Sequence, residues 1–191
     1  LTEKGTVDRN NNNAPLDPGI YTGGIRIRGS SNVTLNPGVY ILRGGGADHG
    51  LTVSGTAGVN MASATAGVVI FNTYSNYPAA PGGSPNCGRI TLSTSGQVTL
   101  RPGSAGSYAG IVIYQDRSCP TGDVMASSGS GERSITGTVY LPNTALQVSD
   151  AAQLSWTAQL VVREYDGDGT DLNLTFTPAQ LAGGRVPALV D

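Results

Sequence analysis

One eleven-residue figure recurs along the chain. It first appears as Ile25-Arg-Ile27-Arg-Gly29-Ser-Ser-Asn-Val33-Thr-Leu35. It returns as Leu51-Thr-Val53-Ser-Gly55-Thr-Ala-Gly-Val59-Asn-Met61, as Ile90-Thr-Leu92-Ser-Thr94-Ser-Gly-Gln-Val98-Thr-Leu100, and as Leu146-Gln-Val148-Ser-Asp150-Ala-Ala-Gln-Leu154-Ser-Trp156. Each copy reads apolar-x-apolar, a small or polar bend, then apolar-x-apolar. Alternation with period two marks a half-buried strand, and the Gly/Ser/Asn bend marks a corner. A repeated unit that cannot bury its own apolar side is covered by its neighbours in a stack. The expected fold is therefore all-β: a right-handed parallel β-helix, or β-solenoid. An antiparallel β-sandwich is the second candidate, since strand count and turn density also suit it.

A third strand follows each figure: Val39-Tyr-Ile41-Leu42, Val68-Val-Ile70-Phe71, Ile111-Val-Ile113-Tyr114 and Leu160-Val-Val162. This predicts about three strands per coil. The figures start at residues 25, 51, 90 and 146, whereas a bare coil needs about twenty residues. The excess is placed in two long insertion loops, Asn72 to Gly88 and Gln115 to Ser134. Pro-Gly pairs after Leu35 and Leu100 specify corners, because Pro sets one dihedral and Gly tolerates positive φ. Residues 1–14, with the run Asn10 to Asn13, read as a polar tail or linker. Residues 15–177 form the solenoid domain, and 178–191 a C-terminal tail.

Twenty-eight glycines and 13% charged residues suit a turn-rich all-β chain. A net charge of −2 gives no electrostatic footprint for nucleic acid. The longest apolar run, Ala66 to Phe71, is too short to span a bilayer, so membrane insertion by this segment is not expected. The chain opens at Leu1 with no Met and no signal-like segment, and is expected to be a piece of something longer. Cys87 and Cys119, one in each insertion, show no metal-ligand spacing and are expected to form a disulfide. Closing that loop stabilises a fold by about 3–4 kcal/mol in the chain-entropy model and implies an oxidising compartment.

The third strands are apolar on both faces. If Ile41, Ile70 and Ile113 face inward, then Tyr40 and Leu42, Val69 and Phe71, and Val112 and Tyr114 face out. A strand apolar on both sides is covered on both. Either the insertion loops or the C-terminal tail lie across this sheet, or Tyr40, Phe71 and Tyr114 form a face for a partner.

Chemistry-bearing constellations are sparse. The acids are three Glu (Glu3, Glu132, Glu164) and ten dispersed Asp, with no pair at equivalent positions of adjacent coils. A general acid and base on one sheet would need such a pair. Asp116-Arg117 reads as an ion pair or a turn anchor. His49, the single histidine, has no nucleophile context such as G-x-S-x-G. Asp166-Gly-Asp168-Gly-Thr170-Asp171 alternates oxygen ligands with glycines. It reads either as an Asx/Gly turn joining Val162 to Leu172 or as a compact calcium loop using Asp166, Asp168 and Asp171. No other cofactor is called for. The outward Thr34, Thr52, Thr91 and Thr99 hint at an ice-binding array, but Arg26, Asn60 and Gln147 interrupt it.

Gly23-Gly-Ile25-x-Ile27-x-Gly29, then Val33-Thr-Leu35-Asn-Pro-Gly-Val39-Tyr-Ile41, then Leu51-Thr-Val53-Ser-Gly55 occur in this order. They are followed by Tyr108-Ala-Gly-Ile111-Val-Ile-Tyr-Gln-Asp-Arg117 and Thr138-Val-Tyr-Leu-Pro142. Across residues 16 to 176 this order resembles the extracytoplasmic C-terminal region of TadG-like proteins of the bacterial tight-adherence (Flp) pilus assembly system. The resemblance implies a secreted, periplasmic or cell-surface protein tied to pilus assembly or adhesion, with no enzymatic residues to carry over. The expected function is a non-catalytic structural or adhesive module. Its partner would be a protein, a second copy or a surface glycan. The second expectation is a β-helix that binds or cleaves carbohydrate.

Overall fold

The computed structural model describes residues 1–46, 49–63, 65–81, 85–104, 106–119, 124–149, 153–168 and 172–175. The chain opens with β1 (Val7–Asn10) and β2 (Gly19–Tyr21). It continues through β3 (Ile25–Arg28), β4 (Asn32–Leu35) and β5 (Gly38–Arg43), then β6 (Leu51–Gly55), β7 (Gly58–Met61) and β8 (Val68–Thr73). Next come β9 (Ile90–Thr94), β10 (Val98–Leu100), β11 (Ile111–Gln115) and β12 (Val124–Ser128). Two long strands, β13 (Glu132–Val148) and β14 (Gln153–Gly167), lead to the short β15 (Asn173–Leu174). Among the described residues no helix is long and apolar enough to cross a membrane.

Hydrogen bonding joins the fifteen strands into one sheet, and every strand pair in it is parallel. This sets aside the antiparallel sandwich. Ile27 pairs with Val53, and Val53 with Leu92, so the recurring figures stack in register.

The chain visits three ladders in the same order on each circuit. Ladder one joins β1, β3, β6, β9, β12 and the ends of β13 and β14. Ladder two joins β4, β7, β10, the starts of β13 and β14, and β15. Ladder three joins β2, β5, β8, β11 and the middles of β13 and β14.

The period-two pattern decides what each ladder buries. Ile25, Leu51, Ile90 and Leu146 lie in one inward column of ladder one, and Ile27, Val53, Leu92 and Val148 in the next; all are buried. Val33, Val59 and Val98 do the same on ladder two. These residues belong to one continuous core. At the corner between ladders one and two Gly29 (66°), Gly55 (74°) and Gly129 (83°) take positive φ, whereas Thr94, paired with Gly55, turns the β9 circuit without it.

Three expectations are corrected here. Residues 1–14 are not a tail: β1 is the first rung of ladder one, and residues 2–4 hydrogen-bond with Ile20 on ladder three. The asparagine run serves this rung. Asn11 Oδ1 accepts the Ser30 amide (2.9 Å), and Asn13 Oδ1 accepts the Asn32 amide (2.6 Å).

Second, the copy starting at Leu146 is not the next circuit after the one at Ile90. Met125 of β12 pairs with both, so a further circuit lies between them, and it begins within the expected second insertion. Its core positions carry Ser127 and Arg133 where neighbouring circuits carry Leu92 and Val98, which breaks the apolar alternation. The third correction concerns Asp166 and Gly167. They are strand, not turn, paired with Gln147 and Val148.

Candidate functional site

Ladder three carries the expected partner residues, and its register decides which of them face out. Tyr40 pairs with Ile70, Ile70 with Ile113, and Ile113 with Val139, all on one inward column. Tyr40 is therefore inside, contrary to expectation. It is 0% exposed, its hydroxyl lies 2.7 Å from both the Leu16 and Asn36 carbonyls and shares its one proton between them, and it stacks on Tyr21 at 6.0 Å. Leu42 is buried in the same core. The place expected for Tyr40 belongs to Ile41. Val112 is also buried in the core, at a register shift between Ile111 and Ile113.

The outward column runs Ile20, Ile41, Phe71, Tyr114, Tyr140, Val161. Phe71 and Tyr114 do lie on it. Yet Phe71 is only 4% exposed, because rings from the two connecting segments close over it. Tyr77 meets Phe71 edge-on at 5.2 Å, Tyr108 tilts against it at 6.1 Å, and Tyr114 meets it edge-on at 5.1 Å. Tyr114 and Tyr140 stack at 5.2 Å with their planes 12° apart. Arg117 completes the row: its Nε–H donates to the Tyr140 hydroxyl at 2.6 Å, and its guanidinium carbon lies 5.6 Å from the ring centre. Edge-to-face and offset-stacked pairs at these distances each contribute about 0.5–1.5 kcal/mol beyond area burial. Burial, and then the nearby Asp116 carboxylate, raise the Tyr114 hydroxyl above the usual phenol range.

Tyr77, Tyr108 and Tyr140 were not singled out from sequence. Tyr140 was findable from the column it shares with Tyr114. Tyr77 and Tyr108 sit in connections, where no periodicity marks them. Tyr108 also walls a shallow depression of about 150 Å³ floored by Val39, Val69 and the glycines 38, 67, 103 and 106.

Asp116 and Arg117 do not pair with each other in this arrangement. Asp116 anchors the turn after β11: Oδ1 accepts the Ser118 amide (2.8 Å) and Oδ2 accepts the Thr73 hydroxyl (3.0 Å). The next turn residues lead to Cys119, which is bonded to Cys87 across a Cα–Cα distance of 5.6 Å, as expected. Such a bond belongs to an oxidising, extracytoplasmic environment.

The glutamates lie on separate parts of the molecule: Glu3 pairs with Arg43 (2.8 Å), Glu132 accepts from Gln97 (3.3 Å), and Glu164 lies 3.4 Å from Arg163. His49 is exposed beside a glycine-lined corner, where its backbone carbonyl would meet a Cβ at Gly24. Asp166 and Asp168 are exposed; Asp171, the third expected calcium ligand, lies outside the described residues. Among the described residues no three His, Cys, Asp or Glu side chains gather closely enough to hold a metal ion.

No family model, curated protein or solved structure matches this chain. The reading of function therefore rests on the face just described.

Proposed function

We propose that this chain is a non-catalytic structural or adhesive module of the cell exterior, built as a right-handed parallel β-helix of about three strands per coil. Right-handedness follows from the crossover rule for parallel strands. One observation supports the functional reading most. The aromatic face of ladder three is turned on itself: Tyr114 and Tyr140 occupy each other's ring faces, and Tyr77 and Tyr108 close over Phe71. A sugar-stacking site needs free ring faces, and a sugar-cleaving site needs two carboxylates across a groove. The row of rings instead ties successive coils together and presents tyrosine edges, Arg117 and the neighbouring Ile41 to the outside.

The order of sequence motifs resembling TadG-like proteins points the same way, toward a bacterial envelope protein of pilus assembly. The partner is then a protein surface, and the edge formed by Tyr114, Tyr140 and Arg117 is where it docks. Surface plasmon resonance with purified pilin and a polysaccharide panel tests this. Pilin binding that falls at least tenfold in Tyr140→Ala supports the reading. Release of soluble sugars from any polysaccharide in the panel would overturn it in favour of a carbohydrate-active enzyme.

A further inference from the structure

Asparagine followed two residues later by threonine occurs twice in the chain, at Asn32-Val-Thr34 and at Asn173-Leu-Thr175. Such a triplet accepts N-linked sugar when it lies on the surface of a protein outside the cytoplasm. Both triplets lie on ladder two, one within β4 and one running out of β15, and both asparagines are exposed. The two-residue spacing puts amide and hydroxyl on the same, outward side of each strand.

The two strands are held differently. Asn32 is gripped from both sides. Its amide donates to Asn13 Oδ1 (2.6 Å), its side-chain carbonyl accepts Asn60 Nδ2 (2.5 Å), and β7 pairs along β4 on the far side. β15 is the last described rung of ladder two, and among the described residues it pairs with β14 alone. There Asn173 faces Ser155, and the Thr175 amide donates to the Trp156 carbonyl (2.9 Å). Leu172 packs against the core and holds the triplet in place, with Leu174 45% exposed beside it. On the rungs below Asn173 the column continues as Ser155, Ser134 and Thr99, each ending in a short hydroxyl. An enzyme that grips an extended acceptor along its backbone reaches Asn173 at this edge. Reaching Asn32 would require unravelling a rung.

We infer that Asn173 carries an N-linked oligosaccharide, added to the folded chain, and that Asn32 stays bare. The donor is an oligosaccharide on a lipid pyrophosphate. Asn173 Nδ2 forms a bond to the anomeric carbon, and the bond from that carbon to the pyrophosphate oxygen breaks. The lipid pyrophosphate leaves with the electron pair, and Nδ2 gives up one proton. The Thr175 hydroxyl is what the transferase reads beside the reacting amide. This inference uses the extracytoplasmic environment that goes with the Cys87–Cys119 bond, and it is independent of the docking edge at Tyr114, Tyr140 and Arg117.

Intact-mass spectrometry and peptide mapping of the chain isolated from the cells that make it test the assignment. The mass should exceed that of the polypeptide by one oligosaccharide, carried on the peptide that contains Asn173. Asn173→Gln should lose the whole increment. Thr175→Ala should lower occupancy at least tenfold, while Thr175→Ser retains most of it. An unmodified polypeptide mass, sugar on Asn32, an increment that survives Asn173→Gln or undiminished occupancy in Thr175→Ala would each overturn the inference.

Discussion

Arg133 occupies a core position that neighbouring circuits give to Val98 and Val59, and it is 0% exposed. Among the described residues no carboxylate pairs with it. Its guanidinium instead donates to the carbonyls of Leu92 (2.9 Å), Thr94 (2.5 Å), Ser128 and Gly131, gathered at the corner between ladders one and two. Burial pushes the guanidinium below its usual pKa range. Removing the guanidinium takes a donor from each of these carbonyls, with Thr94 keeping the Gly131 amide (3.3 Å), so Arg133→Val should lose about 2–4 kcal/mol even though it restores the residue of the column. Guanidinium denaturation measures this; an unchanged midpoint would contradict the role given to the carbonyls.

Tyr21 and Tyr40 give a second residue-scale prediction. Burial pushes the Tyr21 hydroxyl up to about 12 and raises Tyr40 as well. Above pH 10 the unfolded chain loses these protons while the folded chain keeps them. Their contribution is therefore complete below pH 10 and is lost as pH rises toward 12. Tyr40→Phe should cost about 1–3 kcal/mol at pH 7, from the Asn36 carbonyl left without its donor, while the Leu16 carbonyl keeps the Asn36 amide (2.9 Å). Its stability should then fall less steeply than the parent's between pH 10 and 12 in pH-resolved denaturation.

At the scale of elements, the row of rings on ladder three joins β8, β11 and β13. Tyr114 sits between Phe71 and Tyr140 and also tilts against Tyr108 (6.3 Å), so Tyr114→Ala removes three ring pairs and should destabilise by about 2 kcal/mol. A loss under about 0.5 kcal/mol by thermal or chemical denaturation would show that the row does not tie the coils. The alternation in the eleven-residue figure was enough to read ladders one and two, because every second residue there faces water and stays polar. Ladder three was legible as strands but not in orientation. Apolar on both sides, it offers no contrast to tell Tyr40 from Ile41, and pairing with Ile70 settles the matter only in three dimensions. The circuit of β12 was hidden for the opposite reason, since polar Ser127 and Arg133 stand where the pattern demands apolar residues. The cysteine pairing was legible because only two cysteines exist, whereas the cover of Phe71 by Tyr77 depends on loop geometry that no spacing encodes.

At the scale of the whole molecule, parallel in-register stacking is the claim on which the face and the core both depend. One register column of ladder one runs Asp8, Arg26, Thr52, Thr91, Ala126, Gln147, Asp166, one residue per rung. Rungs of a sheet are about 4.8 Å apart, which makes this column a ruler. Spin labels placed at Asp166 and, in turn, at Thr52, Arg26 and Asp8 should give pulsed-resonance distances of about 19, about 24 and about 29 Å, growing in that order. Distances that fail to grow from Thr52 to Arg26 to Asp8 would contradict the stacked architecture.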